Sequence, residues 1–371
     1  MLHLILGKAG TGKTAAVMAA IRRAVEERRG GQILLVPEQY SHEAERELCA
    51  ACGDSLSLYG EVFSFTGLAR RILQQQGGAA RQWLDKGGRL LCMALALEQV
   101  GSRLRVYEAA RRRSELQSLL LSAVDELKSA CITGDMLLEA AAACPDGLGD
   151  KLSDLALVLE AYDGVVSRGR ADPADRLSRL AEQIEAGALL PGTRVYVDGF
   201  IDFTRQEQAV LAAMLRAGVE LCVCLTLDSF RSDNEVFALS RRAGRALQKL
   251  AEELGIAVET RSLAAPKGAD ALALFADEMF RYSESSFEGS APIRLYRAPS
   301  MSAECEQAAA LCLEFVRDGG CRWRDVAVVV RGYEDYRGTL ESVFRHYGVP
   351  LFTAARSDLM AKPLPALIAG A

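Results

Sequence analysis

The feature that most constrains this chain is a glycine-rich segment between a short apolar run and a helical pattern. Residues 1–6 read as a buried strand, residues 7–14 have the pattern G-x-x-x-x-G-K-T, and residues 15–29 carry apolar side chains at helical spacing. In a strand–loop–helix of this kind, glycines let backbone N–H groups surround phosphate oxygens, and the helix N-terminus adds positive potential. The segment therefore predicts a nucleotide-binding (Walker A) loop.

Two kinds of ligand are expected around this loop, a nucleotide and a divalent cation. We predict that the nucleotide phosphates contact Gly7, Lys8, Ala9, Gly10, Thr11, Gly12, Lys13 and Thr14. In such loops the lysine reaches the β- and γ-phosphates, and the threonine hydroxyl ligates Mg²⁺. Asp198 ends an apolar run at 194–197, where a carboxylate would hold Mg²⁺. An acid at the end of a strand is common, so Asp198 is informative only together with the loop. The expected cofactors are ATP and Mg²⁺.

Strand and helix patterns alternate on both sides of a long helical block. We expect strands at 33–36, 58–63, 194–198 and 219–225, and helices at 41–52, 66–75, 206–217 and 235–254, with Ser41 as the cap of its helix. This order predicts an α/β fold with a parallel sheet covered by helices.

The rest of the chain predicts one insertion and a second unit. Between 77 and 191 the strand signals vanish, which indicates an all-helical insert. After a boundary within 283–292, strands at 293–297 and 326–331 alternate with helices at 301–317 and 333–347. We assign residues 1–76 and 192–285 to a P-loop domain with a RecA-like sheet, 77–191 to the insert, and 286–371 to the start of a second RecA-like domain. That last stretch is too short for an ordinary sheet, so a fragment of a longer protein is expected.

Composition narrows the possible partners. The net charge of −5 argues against nucleic-acid binding by bulk charge, although a local basic groove remains possible. An arginine cluster within 103–113 is interpreted either as a solvated helix face or as a phosphate-backbone contact.

Cys49 and Cys52 form a C-x-x-C with no second pair at metal spacing, so no zinc or iron–sulfur site is expected. No leader or membrane-spanning run is evident, and we expect a cytoplasmic protein with no membrane partner.

With these segments in hand, the chain resembles superfamily 1 DNA helicases. Residues 7–14, 62–73, 196–202 and 325–331 match helicase motifs in order. The closer resemblance is to the AddB family, one of the two components of the bacterial AddAB (RexAB-type) helicase–exonuclease. It rests on the strings LILGKAGTGKT, ILLVPEQYSHEAEREL, EVFSFTGLARRIL, VYVDGFIDFTRQEQAVL and VAVVVRGYEDYRGTLESVFRHYGVPLF. The resemblance covers the whole chain and is weakest in the helical insert.

The resemblance implies a role in DNA double-strand break processing and recombinational repair, in a heterodimer with the helicase–nuclease AddA. It implies that Arg331 reaches the nucleotide from the second domain. Single-stranded DNA would cross the first domain near Tyr40, Ser64, Phe65 and Thr66, and duplex DNA is a further partner. For Phe65 a place in the core is an equal alternative. The family's nuclease domain and its iron–sulfur cluster belong to a C-terminal part that this sequence does not include.

One departure from the helicase pattern concerns the mechanism. Active helicases place a glutamate directly after the Mg²⁺-binding aspartate, where it deprotonates the attacking water, but here that position is Gly199. We therefore predict ATP binding without efficient hydrolysis. The alternatives are an actively hydrolysing P-loop NTPase or helicase motor, with Glu38 or Asp202 as its base, and a non-catalytic scaffold whose loop is vestigial.

Overall fold

The computed structural model describes residues 1–75, 83–144, 147–189, 192–264, 271–278, 286–353 and 362–370. The chain divides near residue 270 into two compact units, and each is described by itself. Parts of the predicted domain boundaries, at 77–82, 190–191 and 283–285, lie outside the described residues. None of the described helices is long and apolar enough to cross a membrane.

The first unit contains a six-stranded sheet in which all strands are parallel, and this confirms the predicted fold class. The strands are β1 Leu2–Gly7, β2 Gln32–Leu35, β3 Gly60–Phe63, β4 Arg194–Val197, β5 Glu220–Thr226 and β6 Val258–Ser262, in the order β3-β2-β4-β5-β1-β6. The sequence patterns did not predict β6, because all its residues after Val258 are polar and it lies at the sheet edge, paired only with β1. The strand expected at 58–63 begins later, because residues 56–59 form a short helix.

Helices cover both faces of the sheet and form the insert. They are α1 Lys13–Glu26, α2 Ser41–Cys52, α3 Leu56–Tyr59, α4 Phe65–Gln75, α5 Lys86–Val100, α6 Ser114–Ser129, α7 Gly134–Ala143, α8 Gly147–Val166, α9 Arg176–Gln183, α10 Arg205–Arg216 and α11 Ala238–Glu253. The prediction that Ser41 caps α2 is wrong. A 3-10 turn at Glu38–Tyr40 runs directly into α2, and the Ser41 hydroxyl donates to the Glu38 carbonyl instead, at 2.9 Å.

The strands pack against helices through alternating side chains. In β5, Leu221 and Val223 belong to a core shared with α4, α9, α10 and α11. Cys222 and Cys224 belong to a second core, which includes α1 and α2. Burial on both faces explains why β5 has a continuous apolar sequence rather than an alternating one.

The insert has its own core, formed mainly by α5, α6 and α8 around the fully buried Tyr162. The arginine cluster that we interpreted as a helix face lies in the segment between α5 and α6, which contains only short 3-10 turns. That detail of the prediction was wrong, because the polar run 101–113 has no continuous apolar stripe to bury.

The second unit is helical in its described part. Its helices are α13 Met301–Arg317, α14 Tyr333–His346 and α15 Pro363–Gly370, while α12 Ala271–Glu278 lies where the units divide. Leu340 and Phe344 form its core with cysteines of α13. The strands predicted at 293–297 and 326–331 are absent from the described residues. A strand needs a neighbour for its backbone hydrogen bonds, and Leu295 and Val329 remain 98% and 94% exposed.

Candidate nucleotide site

The loop after β1 favours glycine at three positions, at two because of the backbone conformation and at one because of a close contact. Gly10 and Gly12 have φ of +77° and +83°, where other residues are strained. A Cβ on Gly7 would lie 2.2 Å from the Thr11 hydroxyl oxygen, which itself donates to the Lys8 carbonyl at 2.9 Å. The loop is therefore closed tightly upon itself at the carboxyl edge of the sheet.

The side chain of Lys13 folds back over this loop. Its ammonium donates to the carbonyls of Gly7 at 2.6 Å and Lys8 at 2.8 Å. Burial lowers the pKa of Lys13, while the nearby Cys224 and Asp198 act in the opposite direction. Helix α1 begins here after Gly12, with no side-chain cap and no acidic residue in its first turn. The helix N-terminus and the ammonium thus supply positive potential at one point.

The two predicted Mg²⁺ ligands are in direct contact. The Thr14 hydroxyl donates to Asp198 Oδ2 at 2.6 Å, although the residues are 184 positions apart in sequence. Asp198 is only 6% exposed, and its backbone N–H donates to the Leu35 carbonyl at 3.0 Å. Strands β4 and β1 lie on either side of β5, and all three end at the same edge of the sheet. Asp198, which follows β4, is therefore beside the glycine-rich loop, which follows β1.

The residue after Asp198 has a backbone that is unsuited to a catalytic glutamate. Gly199 has φ of +83°, and a Cβ there would lie 3.2 Å from Pro37 Cδ. The nearby Asp202 is engaged elsewhere. Its two carboxylate oxygens accept from the Phe203 backbone N–H at 2.9 Å and from Arg242 at 2.6 Å. Asp202 would have to break this ion pair before it could act as a base.

The four predicted DNA-contact residues have different environments. The Tyr40 hydroxyl donates to Glu47 at 3.0 Å, and burial together with Glu47 raises the pKa of Tyr40 to about 12. Ser64 is buried and accepts from the Gly67 backbone N–H at 3.0 Å, at the start of α4. Phe65 is 4% exposed, so the structure favours its core alternative. Thr66 is half-buried.

The remaining predicted groups are Arg331, the arginine cluster and the cysteines. Arg331 is exposed and belongs to the second unit. In the arginine cluster, Arg105 pairs with Asp150 and Arg112 pairs with Glu98, which favours the solvated interpretation for these two. All ten cysteines are free thiols, and the described residues contain no group of three or more side chains that could hold a metal ion.

A parallel sheet with a glycine-rich loop after one strand and an aspartate after the strand two positions away defines the RecA-like α/β class of proteins. Comparison with known proteins narrows the class. A sequence model of the family described as "ADDB, N-terminal" matches residues 4–275, and the chain therefore belongs to the AddB family.

Three relatives have names that describe the B component of an ATP-dependent helicase/deoxyribonuclease. The proteins from Desulforudis audaxviator, Geobacillus kaustophilus and Heliobacterium modesticaldum are 35%, 32% and 32% identical to this chain. Each alignment covers 100% of this chain but only 33%, 33% and 32% of the relative. The chain thus spans about a third of the length of these curated relatives.

Proposed function

We propose that this chain is a nucleotide-binding, motor-inactive part of an AddB-type protein. It binds ATP with Mg²⁺ at the loop Gly7–Thr14 and does not hydrolyse it efficiently. The observation that carries the proposal is the contact between Thr14 and Asp198 beside the Lys13 ammonium, followed at once by Gly199.

Binding is supported by groups that already surround the expected position of the phosphates. The Lys13 ammonium is held by two backbone carbonyls of the loop and can exchange them for phosphate oxygens. The Thr14 hydroxyl and the Asp198 carboxylate are adjacent, so both can face one Mg²⁺ ion. A site whose side chains are already in position loses less conformational entropy when its ligand binds.

Slow hydrolysis follows from the missing base. General-base catalysis typically contributes about 10²–10⁴-fold to a rate, and Gly199 has no side chain to provide it. Of the two candidate bases, Glu38 and Asp202, the second already accepts hydrogen bonds from Arg242 and from the Phe203 backbone N–H. Bound ATP would therefore remain intact in the site instead of being hydrolysed.

The wider role rests on the relatives, whose names describe one component of an ATP-dependent helicase and deoxyribonuclease. We extend this to the present chain as a part of a cytoplasmic assembly that processes DNA ends together with AddA. Tyr40 and Thr66 remain the proposed DNA-contact positions, and Arg331 remains a proposed nucleotide contact from the second unit. Ser64 is omitted, because it is buried and accepts from the Gly67 backbone N–H. Phe65 is omitted, because its ring is buried.

Equilibrium binding of a fluorescent ATP analogue, with and without Mg²⁺, tests the proposal. The wild-type chain is compared with Lys13→Ala and with Lys249→Ala, a control at an exposed lysine on α11. We expect binding that Lys13→Ala weakens strongly and Lys249→Ala leaves unchanged. Equal binding by all three proteins would favour the scaffold alternative, in which the loop is vestigial.

A further inference from the structure

Two arginines of α9 lie against one tryptophan at the start of the helical insert. The guanidinium of Arg176 lies over the ring of Trp83, 4.7 Å from its centroid, and that of Arg179 lies 5.9 Å from the same centroid. Arg176 and Arg179 are three positions apart, so their side chains are neighbours on the surface of α9. The described residues offer neither guanidinium a carboxylate at ion-pair distance. Their charge is therefore not neutralised by a direct ion pair.

The indole of Trp83 is held at the point where the chain enters and leaves the insert. Trp83 forms an isolated parallel β-bridge with Ala171, and the Leu84 backbone N–H donates to the Ala171 carbonyl at 2.9 Å. A guanidinium over an aromatic ring is attracted by the ring without using its N–H donors. The donors of Arg176 and Arg179 thus remain available for an anion, while the indole fixes where the two groups lie.

A third arginine, Arg70 of α4, belongs to the same positive region. Helices α4 and α9 are in contact, and Arg70 is exposed. Burial and the nearby charge of Arg70 lower the pKa of Arg176, whereas Glu38 acts in the opposite direction. Arg70 also lacks an acidic partner at ion-pair distance within the part of the chain that the structure describes. Because like charges at close range repel one another, a bound anion would relieve this repulsion.

These three arginines lie beside the positions at which DNA contact is proposed. Thr66 and Arg70 are four positions apart on α4 and therefore lie on the same side of that helix. Glu38, whose charge acts on Arg176, belongs to the same 3-10 turn as Tyr40. The arginines of α4 and α9 thus extend the surface that begins at Tyr40 and Thr66.

We propose that Arg70, Arg176 and Arg179 bind the phosphate groups of a DNA strand without reading its bases. Trp83 is a positioning residue that holds the two arginines of α9. This inference rests on the DNA-processing role in the proposed function. The repeated single charges of a phosphodiester backbone match several guanidiniums spread over two helices, and the planar fork of arginine donors suits phosphate oxygens. Contacts of this kind fix the position of a strand and carry no sequence information.

The salt dependence of DNA binding tests the proposal. For a single strand, each phosphate contact contributes about 0.7 to the slope of log K against log salt concentration. The probe is a fluorescent thymidine oligonucleotide, and the variants are Arg70→Ala, Arg176→Ala, Arg179→Ala, Trp83→Leu and Trp83→Phe. Arg23→Ala is the matched control, because it removes the same charge from an exposed site on α1, which packs on the opposite face of the sheet. Binding of a fluorescent ATP analogue and the unfolding transition are recorded for each protein.

We expect each of the three arginine variants to reduce the slope by about 0.7, and Arg23→Ala to leave it unchanged. Trp83→Leu should weaken DNA binding, whereas Trp83→Phe should retain it, because a phenyl ring still offers an aromatic face to Arg176. A mixed-sequence oligonucleotide of the same length should show the same losses as the thymidine oligonucleotide. Binding of the ATP analogue should be equal in all these proteins. If Trp83→Leu does not fold, the three arginine variants decide.

Three results would overturn the inference. A wild-type slope in all three arginine variants would do so and would leave DNA binding by the chain intact. Displacement of the oligonucleotide by polyglutamate as readily as by unlabelled oligonucleotide would assign the arginines to an acidic polypeptide instead. A wild-type chain that binds no DNA would overturn both this inference and the contacts at Tyr40 and Thr66, and the binding of the ATP analogue would show separately whether the nucleotide site stands.

Discussion

The Thr14 hydroxyl donates a hydrogen bond of 2.6 Å to the carboxylate of Asp198. This contact joins the start of α1 to the end of β4, and the entire helical insert lies between them in sequence. One site is therefore assembled from two segments that are distant in sequence. A hydroxyl and a carboxylate in this arrangement are oxygen ligands suited to Mg²⁺.

Replacing the carboxylate should remove the metal dependence of binding. In Asp198→Asn the site keeps its shape and the acceptor for Thr14 but loses the negative charge that attracts Mg²⁺. We expect Mg²⁺ to stop strengthening nucleotide binding, while binding without Mg²⁺ persists. Calorimetry with an ATP analogue measures this, and Asp202→Asn serves as the control. An unchanged Mg²⁺ effect in Asp198→Asn would contradict the assignment.

Restoring the glutamate of active helicases should not restore hydrolysis. In Gly199→Glu the new side chain starts from a left-handed backbone and its Cβ meets Pro37 at 3.2 Å. A non-glycine residue in such a conformation costs of order 1–3 kcal/mol. We expect no gain in ATP turnover and a lower free energy of unfolding.

A matched pair of alanine variants separates the two causes of this strain. Gly218 also has a positive φ, of +78°, but a Cβ added there would meet no atom within 4 Å. Gly199→Ala should therefore destabilise the chain more than Gly218→Ala in urea unfolding. Equal losses in the free energy of unfolding would show that Pro37 shifts at little energetic cost. ATP turnover by Gly199→Glu would show that the backbone tolerates a catalytic base at this position.

The insert depends on one buried lysine. Lys128 is 8% exposed, and its ammonium lies 2.7–3.3 Å from the carboxylates of Asp163, Asp172 and Asp175. Lys128→Met leaves Asp163 and Asp175 without their cation, while Asp172 keeps Arg89 at 2.9 Å. The loss should therefore stay below the value of about 3–5 kcal/mol that breaking a fully buried pair typically costs, but exceed the loss in the control. Lys249→Met removes an exposed pair and should cost less than about 1 kcal/mol. Urea unfolding compares the two, and similar losses would show that the buried ion pairs do not stabilise the insert.

Phe65 should contribute to the stability of the chain rather than to its binding of DNA. Its ring packs edge-on against Phe200 with centroids 5.4 Å apart. Phe65→Ala should cost about 3–5 kcal/mol because it leaves a cavity. Phe65→Leu retains most of the packing, so it should bind single-stranded DNA as the wild type does. Weaker DNA binding by a stably folded Phe65→Leu would show that the ring contacts a base after all.

The sequence was sufficient for the parallel sheet and for the loop, because strand, glycine pattern and helix are all local signals. It also indicated Asp198, since the strand before it is apolar and the residue types suit Mg²⁺. The contact of Asp198 with Thr14 was only implied, because it depends on which strands lie side by side.

Other features could not be predicted, since they depend on neighbours that are distant in sequence. The polar edge strand β6 forms only because β1 offers it hydrogen bonds. The burial of Phe65 depends on Phe200, which belongs to a segment beyond the insert.

Single-turnover hydrolysis of ATP by the isolated chain tests the central claim most directly. Protein in excess over radiolabelled ATP and well above the dissociation constant, with saturating Mg²⁺, ensures that nearly all the nucleotide is bound. We predict bound ATP that is released intact, with phosphate formation no faster than in Lys13→Ala. Rapid phosphate formation that Asp202→Ala or Glu38→Gln abolishes would contradict this claim, and would show that another carboxylate serves as the base.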